Sequence, residues 1–106
     1  MSIREEDVQT LTGLGLTERQ AKVYLALLQM GPSGAETISK LSSVHRQEIY
    51  RVAARLQEMG LIETEVTSPT IFSAVSVKHA LEIMINRKSK ELDKIRGQTL
   101  NLIERF

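Results

Sequence analysis

The stretch TERQAKVYLALLQMGPSGAETISKLSSVHRQEIYRVAARLQEMGLIETEVTSPTIFSAV, residues 17–75, decides the fold. Thr17 with Gln20 has capping-box spacing ahead of Ala21, Val23, Tyr24, Leu27 and Leu28, which recur at helical spacing until Gly31-Pro32 ends the run. Ser33 with Glu36 repeats the device and opens a helix through Ala35, Ile38 and Leu41, about two turns long, that Ser42-Ser43 ends. A third helix is predicted from about Arg46 to Met59, with Gly60 as its C-cap. At about 100° per residue, Ile49, Val52, Ala53, Leu56 and Met59 point one way, and Arg46, Gln47, Tyr50, Arg51 and Ala54 point roughly the other.

Leu61 to Val66 and Ile71 to Val75 are rich in β-formers, and Thr67-Ser68-Pro69-Thr70 supplies turn chemistry between them. A short helix, a tight turn, a longer helix with a polar outer face and a β-hairpin form the order of a winged helix-turn-helix. The fold class expected is mainly α with a small hairpin. Upstream, Ser2 with Glu5 has capping-box spacing, and Val8 and Leu11 suggest a short first helix ending near Gly13. Downstream, Ser76 can cap a final helix that meets no proline before the C-terminus. Leu81, Ile85, Lys88, Leu92, Ile95, Thr99, Leu102 and Phe106 follow one another at 4,3,4,3,4,3,4, the seam of a heptad repeat.

Such a helix would reach about 40 Å, more than a small winged helix can cover with its own core, so its surplus stripe calls for a partner. Lys88 and Thr99 interrupt the seam, and Gly97 costs about 1 kcal/mol against alanine and could bend the helix. The expectation is a winged-helix domain over residues 1–76 and a dimerisation helix over 77–106, with Leu81, Ile85, Leu92, Ile95, Leu102 and Phe106 in a homodimer seam.

With 106 residues, 42% hydrophobic and 25% charged, the chain fits one globular domain with a modest core. It has no cysteine, which excludes disulfides and thiolate metal sites and suggests an intracellular, cytoplasmic protein. No apolar run approaches the roughly 20 residues of a membrane span, and Met1 to Thr10 is too acidic for a signal peptide. The net charge of +1 divides unevenly: residues 1–77 hold 7 Lys+Arg against 9 Asp+Glu, and 78–106 hold 7 against 4. A net negative first part argues against an indiscriminate polyanion binder. Local placement carries the case instead, because Arg46, Arg51 and Arg55 lie within ten residues on one proposed helix.

If that helix enters a major groove, an arginine can pair with guanine O6 and N7, a glutamine with adenine N6 and N7, and Tyr50 can reach a phosphate or a thymine methyl. The competing reading of Arg46, Gln47, Tyr50 and Arg51 is a solvated polar face. Ser43 joins the candidate DNA-binding residues, His45 is at best a helix-start residue near a phosphate, Arg55 a turn further on meets backbone phosphate or solvent, and Thr67, Ser68 and Thr70 could touch the minor groove from the hairpin tip, although a turn needs such residues anyway. The amides opening the Ser33 helix could bind a phosphate, but Glu36 would repel it, so capping is favoured. His45 and His79 are the only histidines and lack ligand-spaced partners, so no metal is expected, and Met30, Met59 and Met84 read as core filler. No Ser-His-Asp order, paired carboxylates, Gly-rich phosphate loop or HExxH motif is present, and neither an enzyme nor a cofactor is expected.

Leu14-Gly15-Leu16-Thr17, Ala21 to Leu28, Gly31-Pro32, Ala35, Ile38, Val44, Arg46, Ile49, Tyr50, Leu56, Gly60-Leu61-Ile62, Pro69, Phe72, Ala74, Val75 and Leu81, taken in order, resemble the N-terminal domain of TrmB-like archaeal transcription regulators. The resemblance spans nearly all of residues 11–85 and implies a winged helix that binds duplex DNA, in a family often linked to sugar metabolism. Two departures stand out. The family usually has a basic residue just before the aromatic at Phe72, where this chain has Ile71, with Glu63 and Glu65 nearby. Sugar-sensing members also carry a large C-terminal effector domain, and this chain ends at Phe106, so as a short member or a fragment it should bind no sugar itself. The expected function is a homodimeric, sequence-specific regulator of transcription with residues 46–59 in the major groove. The alternative is a winged helix used as a protein-interaction module that pairs through its C-terminal helix.

Overall fold

The computed structural model describes residues 2–106 in the order α1 (Glu5–Gly13), α2 (Glu18–Met30), α3 (Ala35–Ser42), α4 (Arg46–Glu58), β1 (Ile62–Glu65), β2 (Ile71–Ala74) and α5 (Val77–Arg105). This is a mainly helical winged helix with a two-stranded wing and a long C-terminal helix. The expected helices are all present, and the strands are each a residue or two shorter than their β-rich runs.

Local chemistry sets most boundaries. The Thr17 side chain accepts from the Gln20 amide, and Gln20 Oε1 accepts from the Thr17 amide, completing the expected capping box of α2. Gly60 follows the C-cap Met59 and turns left-handed at φ 81°, so that the Gly60 and Leu61 amides donate back to Gln57 and Leu56 in a Schellman turn. Gly15, at φ 111°, ends α1 in the same way through the Gly15 and Leu16 amides. Ser76 caps α5 by accepting from the His79 amide, as its position suggested.

Two expected caps are absent. Arg4, not Ser2, is the N-cap of α1, and no side chain caps it. Gly34 is the N-cap of α3, again without a side-chain bond. Ser33 is instead recruited by the wing: its amide donates to the Phe72 carbonyl at 2.9 Å, and the Phe72 amide donates back at 2.8 Å. Two reciprocal long-range backbone bonds satisfy groups that a single serine cap would leave open, and they add a rung of a third strand to the hairpin.

The apolar face of each helix meets one core. Val8 and Leu11 of α1, Tyr24 and Leu27 of α2, Ile38 of α3, Ile49 and Leu56 of α4, Leu61 and Phe72 are all buried together. Of the three methionines expected as filler, Met84 is buried and Met59 partly so, but Met30 is exposed at the last residue of α2. The Tyr24 hydroxyl crosses this core to donate to the Val75 carbonyl at 2.9 Å, and burial pushes its pKa up to about 12. No buried polar side-chain atom lacks a partner among the described residues.

Helix α5 begins inside this core and leaves it. Ala80 and Met84 are buried, and Leu81 and Ile83 pack against the same cluster. From Ile85 onward every residue is exposed. The helix runs unbroken through Gly97 and stretches the molecule to 58 × 28 × 25 Å.

Candidate nucleic-acid interface

The turn between α3 and α4 is held from within. Ser43, the C-cap of α3, lies in the left-handed region at φ 61°. Ser42 is buried and its Oγ accepts from the Val44 amide at 3.2 Å, while Ser39 Oγ donates to the Val44 carbonyl at 2.6 Å. His45 then caps α4, its Nδ1 accepting from the Gln47 amide at 3.3 Å. These bonds fix the angle at which α4 leaves the turn.

Ile49, Val52, Ala53 and Leu56 anchor α4 in the core, and the rotation they impose exposes Ser43, His45, Arg46, Gln47, Tyr50, Arg51, Ala54 and Arg55 together. The residues expected on the outer face are therefore all exposed. Arg46, at the first turn, makes no ion pair among the described residues and projects into solvent. Tyr50 is half exposed and meets the buried Phe72 ring edge-on, centroids 5.9 Å apart at 66°, which ties α4 to the wing.

The hairpin pairs Ile62 with Ala74 through Glu65 with Ile71. At its tip Thr67 and Ser68 are exposed and Thr70 is half-buried. The Thr67 hydroxyl donates to the Pro69 carbonyl at 2.6 Å and so serves the turn itself. Glu63 and Glu65 are exposed on β1, so the wing presents carboxylates and hydroxyls where a basic side chain would favour phosphate.

One participant was not anticipated. Arg19, on the first turn of α2, reaches Glu48 of α4 at 3.6 Å, and Arg51 pairs with the same Glu48 oxygen. A groove of about 890 Å³ runs between these helices, lined by Arg19, Lys22, His45, Glu48, Arg51 and Arg55 among others. The i,i+3 spacing of Glu48 and Arg51 is visible in the sequence; the contribution of Arg19, 29 positions before Glu48, is set by tertiary packing alone.

A family model described as "sugar-specific transcriptional regulator TrmB" matches residues 11–78, which includes α2 through β2. The chain belongs to the TrmB family. It is similar to the HTH-type sugar sensing transcriptional regulator TrmBL1 of Pyrococcus furiosus, with 31% identity over 104 residues. That alignment covers 98% of this chain and 27% of the relative, so the chain spans about a quarter of the relative's length. In fold it is similar to TrmBL2, an archaeal chromatin protein, at a TM-score of 0.77 and 23% identity over 94% of this chain and 42% of that one. It is also similar to a possible transcriptional regulator from Methanosarcina mazei, at a TM-score of 0.67 and 19% identity over 93% and 88% of the two chains. The family is one of transcriptional regulators, and the likeness to the two solved structures is one of fold. Among the described residues no helix is long and apolar enough to cross a membrane, and no group of three or more His, Asp or Glu is placed to hold a metal.

Proposed function

We propose that this chain is a sequence-specific, duplex-DNA-binding regulator of transcription that acts as a homodimer, with the N-terminal half of α4 in the major groove. The observation that carries the reading is the exposed face of α4. Arg46, Gln47 and Tyr50 share it, the turn beneath is rigidly bonded, and Arg46 is free of ion pairs among the described residues. An unpaired guanidinium and an amide at the start of a recognition helix are the groups that read guanine and adenine edges. Ser43, His45, Arg51 and Arg55 flank that face and suit backbone contacts, and Thr67, Ser68 and Thr70 are the residues the wing offers to the minor groove.

Dimerisation is supported by α5. Ile85, Leu92, Ile95, Leu102 and Phe106 are between 46% and 99% exposed along one seam, a stripe that water does not favour. Leu14, Ile85, Leu92 and Ile95 line a further groove of about 500 Å³ beside it. A second copy of α5 covers this stripe, with residues 77–106 acting as the dimerisation helix and Leu81 bridging the seam to the core. Each α4 then reads one half of an inverted repeat, with half-site centres about 34 Å apart or a multiple of that.

Selection from a random duplex pool at two salt concentrations tests the reading. The expected result is an enriched inverted repeat. Retention without enrichment would assign a phosphate-driven architectural role, and no retention at low salt would leave protein interaction through α5 as the function.

A further inference from the structure

The cations along the groove between α2 and α4 are all held by carboxylates of the same chain. Lys22 pairs with Glu18 at 2.9 Å, Arg55 with Glu58 at 2.9 Å, and both Arg19 and Arg51 with one oxygen of Glu48. Glu18 and Glu58 are exposed on 64% and 67% of their side chains and can swing into water when a competing anion arrives. Glu48 cannot do so as readily. It is exposed on only 32% of its side chain, grips two guanidiniums from different helices, and lies in the first turn of α4, where the helix dipole favours a negative charge.

We propose that Glu48 sets the DNA affinity of this chain by holding Arg19 and Arg51 away from phosphate, and that the groove they line receives duplex backbone on the flank of α4 away from Tyr50. The inference rests on the DNA-facing reading of α4. Residues 48, 51 and 55 lie about 100° to 160° around the helix from Tyr50, so this flank is distinct from the one joined to the wing. An arginine that trades a carboxylate for a phosphate gains little, and it releases fewer counterions than an unpaired one. Glu48 thereby keeps general attraction to DNA low and leaves discrimination to Arg46 and its neighbours. A net negative winged-helix half is what such a design produces.

The test is a double-variant cycle of wild type, Glu48→Gln, Arg19→Ala and the pair, each titrated with one mixed-sequence duplex of about 30 base pairs from 50 to 200 mM salt. Glutamine keeps the shape of Glu48 and removes its charge, and thermal melting checks each fold. Glu48→Gln should bind roughly tenfold tighter at the lowest salt, with its log–log salt slope steeper by about 0.9 to 1.8, the equivalent of one or two added phosphate contacts. Arg19→Ala should cost more in the Glu48→Gln background than in wild type. Equal affinity and slope for wild type and Glu48→Gln would overturn the proposal, as would a changed affinity at constant slope, which would take the effect of Glu48 off the phosphates. If no variant binds at the lowest salt, the DNA-binding reading itself fails and takes this inference with it. Should Glu48→Gln unfold, an Arg19→Ala variant that loses a full phosphate contact from wild type overturns the proposal by showing that Arg19 was never restrained.

Discussion

Replacing Leu92 with aspartate should separate the proposed dimer into folded monomers. Leu92 is 46% exposed on the isolated chain and sits beyond the part of α5 that packs on the core. Covering the rest of its side chain contributes about 1 kcal/mol per copy, hence about 2 kcal/mol across a pair. Leu92→Ala should therefore weaken association about thirtyfold. Aspartate adds a carboxylate to a seam that excludes water, opposite an identical one under two-fold pairing, and costs several kcal/mol more. The sum exceeds about 4 kcal/mol, a factor of about a thousand in the dissociation constant. Sedimentation equilibrium over a hundredfold range of concentration reads this directly, and melting at low concentration checks that the monomer stays folded. An undiminished dimer for Leu92→Asp would refute α5 as the seam and move the interface elsewhere, with α1 the next surface to test.

Arg46→Ala and Arg51→Ala separate the two kinds of contact. The Arg46 variant should lose about 1 to 3 kcal/mol against the selected site and relax its preference at one position, while Arg51→Ala should weaken binding only slightly and evenly across sequences in wild type and by more once Glu48→Gln has released the guanidinium; binding unchanged by Arg46→Ala, and by Arg51→Ala even in the Glu48→Gln background, would remove α4 from the interface. Tyr24→Phe should cost about 1 kcal/mol in urea unfolding, because the Val75 carbonyl loses its buried donor. The wild type should also lose stability as pH rises from 10 toward 12. Burial keeps the Tyr24 phenol protonated in the folded chain up to about 12, whereas the unfolded chain releases that proton near 10.0, so the advantage is complete below pH 10 and fades above it. An identical alkaline profile for Tyr24→Phe would disconnect the effect from this hydroxyl.

What the sequence disclosed and what it concealed differ in range. Thr17 with Gln20, Ser76, and Gly60 beside Met59 act on amides within a few residues, so their roles follow from spacing. The outer face of α4 was equally legible, because Ile49, Val52, Ala53 and Leu56 fix its rotation at helical period. Ser33 has the same spacing to Glu36 as a capping box, yet it pairs with Phe72, 39 positions away, which local pattern does not reveal. Arg19 with Glu48, Tyr24 with Val75 and Tyr50 with Phe72 likewise arise only when the helices pack. The heptad spacing of α5 was read correctly as an apolar stripe, but spacing did not reveal that Leu81 leans on its own core and that the open face starts at Ile85.

The bond from Tyr24 to Val75 has a mechanical meaning beyond its stability. Val75 immediately precedes the cap of α5, so a side chain rooted in the core clamps the pivot of a 29-residue arm. With about 1.5 Å of rise per residue, the arm is about 43 Å long, and a tilt of about 1° at its base moves its tip by about 0.7 Å. Small rearrangements around Tyr24 are thus magnified along the arm. If two such arms meet in a pair, the hydroxyl of one tyrosine acts as a trim adjustment on how far apart the two reading heads stand.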